Sequence, residues 1–152
     1  MGDRARRVLA PVNGGPGDAR LIETLAAMCQ VFKPKFTLVY VVEVPQAMPI
    51  DAELPVELAR GEAVLGVAEG ELKKRIGDKG GEVLTELLQA RSVGAAIVDE
   101  AIEQRAETVV MATENRVTHG KVSYGDSVKY VMMNCPCEVL LLRLALDDNG
   151  EE

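Results

Sequence analysis

Short apolar runs rich in β-branched residues alternate along this chain with longer stretches whose apolar residues recur at spacings of three and four. No other feature of the sequence limits the fold so much. A strand that is apolar on both faces must be covered on both, and a helix between strands supplies the long crossover that parallel pairing requires. Residues 7–12 read as a first buried strand, closed by the turn signal Asn13-Gly14-Gly15-Pro16-Gly17. Asp18 is placed to cap the next helix, since its carboxylate can accept orphan first-turn amides. Leu21, Ile22, Leu25, Cys29 and Phe32 then share one helical face, and Pro34 stops the helix. Residues 36–42 form the second strand, and Pro45, Pro49 and Pro55 mark the loop after it.

A second helix carries Leu65, Ala68, Leu72 and Ile76 on one face and ends in the stretch from Gly77 to Gly81. Gly61, Gly66 and Gly70 weaken its early turns, each by about 1 kcal/mol relative to Ala. Residues 82–88 are a third strand, polar enough to lie at an edge. Val93, Ile97, Ala101 and Ile102 mark a third helix, and residues 108–112 a fourth strand. An irregular, Gly-containing stretch runs from Thr113 to Gly125. A short helix with Val128, Val131 and Met132 on one face leads to a final strand over residues 138–144. The expected fold is therefore α/β and Rossmann-like: one domain over residues 1–146, with a parallel sheet and helices on both of its faces. Residues 147–152 are an acidic tail, expected to be mobile.

With 152 residues, 47% of them apolar, the chain can bury a core of its own. A formal net charge of −7 excludes a general affinity for nucleic acid or anionic membranes. No run reaches the roughly 18 apolar residues of a membrane span. The opening MGDRARRVLAPVNGG meets Pro and Gly too soon for a signal-peptide core, so the cytoplasm is the expected compartment. Cys29, Cys135 and Cys137 are too few for a disulfide framework. A metal site needs about four ligands, the chain has one His, and Cys135-Pro136-Cys137 lacks the spacing of a thiol oxidoreductase. The pair is read as small buried residues entering a strand, with no metal site.

In doubly wound sheets ligands bind outside the carboxyl ends of the strands, where the winding reverses. The loops richest in Gly follow strands one and four, so a cleft is expected between them if those strands are neighbours.

The stretches Val8-Leu9-Ala10-Pro11-Val12-Asn13-Gly14, residues 101–112 and residues 125–143 resemble the universal stress protein family. Within the last of these, Cys135-Pro136-Cys137-Glu138-Val139-Leu140-Leu141-Leu142-Arg143 resembles the family's closing helix-to-strand junction, and the likeness covers nearly the whole chain. The resemblance implies five parallel strands in the order 3-2-1-4-5, which makes strands one and four neighbours. It also implies adenine-nucleotide binding, of ATP or AMP, through a glycine pattern after strand four: Gly, two residues, Gly, nine residues, Gly, then Ser or Thr. The matching positions here are Ala112, Asn115, Gly125 and Asp126, so the spacing is kept while one glycine of three remains. Glycines let backbone amides approach phosphates, and a helix N-terminus adds free N–H donors. Asn115 still tolerates a left-handed turn. Asp126 places a carboxylate where a hydroxyl would meet phosphate, and doubles as an N-cap for the last helix; Ser127 stands one position later as a partial substitute.

On the opposite wall, Asn13 stands where nucleotide-binding members carry Asp, and Val41 matches an apolar position that contacts the base. The implied site comprises Pro11, Val12, Asn13, Val41, Met111, Ala112, Asn115, Gly125, Asp126 and Ser127. The expected function is a non-catalytic stress-response or regulatory binding domain with a degenerate adenine-nucleotide pocket. The alternatives are a genuine ATP- or AMP-binding member and an ATP pyrophosphatase-like enzyme, the latter on a partial likeness of Asn13-Gly14-Gly15-Pro16-Gly17-Asp18 to that class's loop. No catalytic residues are assigned: the single His119 lies in a loop with no carboxylate partner close in sequence. The apolar run from Val139 to Leu146 at a sheet edge needs a cover, and the resemblance implies a homodimer through that strand.

Overall fold

The computed structural model describes residues 5–113, 116–118, 121–123 and 125–145. Five parallel strands, β1 (Arg6–Pro11), β2 (Pro34–Glu43), β3 (Glu82–Ala90), β4 (Thr108–Thr113) and β7 (Glu138–Arg143), form one sheet in the order β3-β2-β1-β4-β7. With the strands counted in chain order, this is the 3-2-1-4-5 winding expected above. Helices α1 (Gly17–Met28), α2 (Pro55–Ile76), α3 (Val93–Glu103) and α4 (Asp126–Asn134) make the crossovers. The acidic tail lies outside the described residues.

Alternation within each strand sends side chains to two separate cores. Val8, Ala10, Phe36, Leu38 and Val110 pack with Leu21, Leu25, Leu65 and Leu72 of α1 and α2. Leu9, Val39, Val109 and Met111 pack with Ile97, Ala101, Val128 and Val131 of α3 and α4. Each inner strand is therefore apolar at nearly every position, as a doubly covered strand must be. β3, the more polar strand, does lie at an edge, and β7 lies at the other.

Several local expectations are corrected. α2 runs unbroken for 22 residues despite its three glycines. Gly61 is the tightest of them: a Cβ there would lie 2.6 Å from Leu87 Cδ1 and 2.7 Å from Tyr40 Cδ1. The helix crosses β2 and β3 so closely that only hydrogen fits. Ile102 and Met132, read as core, are 56% and 51% exposed. Gly94, Ala96 and Val98 join Ile97 and Ala101 on the buried face of α3 instead. The stretch read as irregular contains a small antiparallel hairpin, β5 (Arg116–Thr118) with β6 (Lys121–Ser123).

Pairing is uneven across the sheet. β1 aligns with β2 at six residue pairs, from Arg6–Pro34 to Pro11–Val39. It aligns with β4 at two, Val8–Thr108 and Leu9–Val109. Above Leu9 and Val109 the ladder between β1 and β4 ends, and a crevice opens.

Candidate functional site

The loop that leaves β1 is held by its own polar groups. Val12 N–H donates to Val39 O at 2.8 Å, extending the β2 pairing one residue past the strand. The chain then turns through Gly14, whose φ of +82° lies in the left-handed region that favours glycine. Asn13 Oδ1 accepts from Gly15 N–H at 2.7 Å, an Asx turn. Asp18 Oδ2 accepts from Gly14 N–H at 2.8 Å and Oδ1 from Asn13 N–H at 3.2 Å. Asp18 is thus no N-cap. It is the second residue of α1, whose N-cap is Pro16, and its carboxylate reaches back to the loop rather than forward to the helix. Burial pushes the Asp18 carboxyl above its ordinary value, against the opposing pull of the Gly14 and Asn13 amides.

The facing wall is the end of β4. A Cβ on Gly17 would lie 3.2 Å from the Ala112 methyl, so the extra carbon of Ala112 is accommodated by the missing one at Gly17. α4 begins at Asp126 with Gly125 as its N-cap and no side-chain cap. The cap expected from Asp126 is therefore absent: as the first helical residue, its side chain sits beyond the amides that a cap would reach.

Between these walls, over the carboxyl ends of β1 and β4, lies a cleft of about 530 Å³. Pro11, Val12, Asn13, Val41, Met111, Ala112, Gly125 and Ser127 line it, eight of the ten candidates from sequence. Asn115 and His119 fall outside the described residues. Asp126 is described and exposed, and does not line the cleft. Sequence reasoning missed Asp18, Tyr40, Glu43 and Thr113 on the lining. Tyr40 and Glu43 were within reach, since β2 flanks β1 and its last residues must border any opening above β1. Asp18 and Glu43 are carboxylates, and the described lining contains no Lys, Arg or His. A second groove of about 420 Å³ lies between α1 and α2, on the far side of the Asn13–Asp18 loop. Ala19, Ile22, Ala63 and Val64 make much of its wall, while the amide and hydroxyl groups that would orient a ligand converge on the cleft.

The fold is a doubly wound α/β domain with a cleft where its winding reverses. The model of the universal stress protein family matches residues 4–143, and the chain belongs to that family. No curated protein matches it in sequence. A universal stress protein from Archaeoglobus fulgidus superposes with a TM-score of 0.73 at 18% identity, over 91% of this chain and 98% of that one. The universal stress protein from Archaeoglobus fulgidus in complex with dAMP gives 0.67 at 16% identity, over 91% and 98%. A universal stress protein in complex with cAMP gives 0.66 at 15%, over 93% and 98%. At these identities the likeness speaks for the fold. Among the described residues, no helix is long and apolar enough to cross a membrane.

Proposed function

We propose that this protein is a non-catalytic regulatory domain of the stress-response type, acting in the cytoplasm, whose cleft takes the nucleoside part of an adenine nucleotide and holds its phosphates weakly. The observation that carries this reading is the polarity of the lining. Two loop amides that could have met an anion already bond to Asp18. That carboxylate and Glu43 give the described lining a negative character with no cation to offset it. Two like charges about 4 Å apart cost roughly 1 kcal/mol in water and about 4 at an effective dielectric of 20. Apolar Val41, Met111 and Ile97 suit a base, and Asn13, Ser127 and Tyr40 supply hydrogen bonds for a sugar. The dAMP and cAMP complexes of the structural relatives supply the ligand class.

Calorimetric titration with adenosine, AMP and ATP, with and without Mg²⁺, tests it. Adenosine and AMP should bind at least as tightly as ATP. An ATP affinity more than tenfold above that of adenosine would overturn the reading and favour a full nucleotide site built on the uncapped start of α4 and Ser127.

A further inference from the structure

We infer that Cys135 and Cys137 form a redox-active dithiol, which closes to an intramolecular disulfide when the protein meets a low-molecular-weight disulfide. Read as sequence, the pair is filler before a strand. The fold instead turns both side chains the same way, and the two sulfurs stand 3.4 Å apart as each other's hydrogen-bond partner. Both cysteines are half-buried and pack against the α3/α4-side core. Pro136 lies between them and fixes its own φ, so the turn that brings the sulfurs together is already stiff. Cys135 is also the C-cap of α4, its N–H bonding Val131 O at 2.9 Å, which anchors one end of the pair.

The exchange balances. A Cys135 thiolate attacks one sulfur of R–S–S–R, forming a mixed disulfide and releasing R–S⁻. Cys137 then gives its proton to solvent and its sulfur displaces the second R–S⁻, leaving the Cys135–Cys137 bond. Two electrons pass from the protein sulfurs to the small disulfide, which leaves as two thiols. Burial and then the adjoining Cys135 push the Cys137 thiol up to about 11, and its sulfur already lies beside the one it would attack in the second step. A bridge over a single residue closes a very short loop and gains little from chain entropy. Its role is therefore reversible chemistry at the entrance to β7, not stapling of the fold.

Cys29 sits at the end of α1, against the core on the other face of the sheet, and is replaced so that only the pair can react. The full chain carrying Cys29→Ser is treated with oxidised glutathione, then assayed for free thiols and intact mass. Both remaining thiols should be lost, with a mass about two units lower, no adduct, and full reversal by dithiothreitol. Adding Cys137→Ser should trap glutathione on Cys135. A stable adduct persisting with Cys137 present would overturn the inference. So would an unreacted pair in the folded protein that oxidises once the chain is unfolded.

Discussion

Asp18 is under opposed demands: its two oxygens hold the loop amides of Asn13 and Gly14, while its burial disfavours the charge that makes it a good acceptor. Burial is the larger influence, so the folded protein holds this proton more tightly than the unfolded chain, whose value is near 3.8. Between that value and the raised one the native state binds more protons, and Asp18 therefore costs stability as pH rises through the window. In denaturant titrations across acidic to neutral pH, Asp18→Asn should hold a constant offset from wild type at the acid end. The offset should then move in the variant's favour as pH rises. Removing this charge should also strengthen ATP binding by about fivefold, the equivalent of roughly 1 kcal/mol. Asp126→Ser, outside the lining, should change ATP affinity less, which calorimetry on the two variants will show. These two carboxylates mark the limit of reading residues from sequence. Both were placed at helix starts correctly, but a cap depends on a single position: Asp18 lies two residues past the N-cap Pro16, and Asp126 one past the N-cap Gly125. Pro11 to Asn13 and Met111 to Ala112 were legible because strand ends in this winding must border the crevice.

The glycines of α2 differ in what surrounds them, and the element answers accordingly. Nothing lies within 4 Å of a Cβ built on Gly66 or Gly70, so Ala at either should stabilise the protein by about 0.5–1 kcal/mol through helix propensity alone. Gly61→Ala meets Leu87 and Tyr40 and should cost about 1–3 kcal/mol. Gly81 is tighter still, with a built Cβ 1.5 Å from the carbonyl oxygen of Pro34, and Ala there must displace the start of β3 from β2. Urea unfolding of the four variants orders them; equal effects at Gly61 and Gly66 would contradict the packing described. The strands were readable as unbroken apolar runs, and the long helices by their three- and four-residue spacing. The hairpin β5–β6 was not, since three-residue strands are too short to show a period. Ile102 and Met132 misled because helical spacing reports which residues are apolar, not which of them the core covers.

At the scale of the molecule, the exposed margin is β7. Val139, Leu140, Leu141 and Leu142 are only half-buried, with alternate side chains reaching the two cores, and among the described residues the outer side of the strand has no neighbour in the sheet. We propose that a second copy covers it, joining a homodimer through the run from Val139 to Leu146, whose last residue lies outside the described ones. Sedimentation at micromolar concentration should give the dimer mass, and Leu141→Lys should shift it toward a monomer that keeps its circular dichroism; a wild-type monomer would refute this. The sparse alignment of β1 with β4 has a mechanical meaning as well. The sheet is two rafts, β3-β2-β1 and β4-β7, lashed at Val8–Thr108 and Leu9–Val109, with the cleft as the gap above the lashing. A molecule seated in that gap would rest on both rafts and act as a splint across the seam between them.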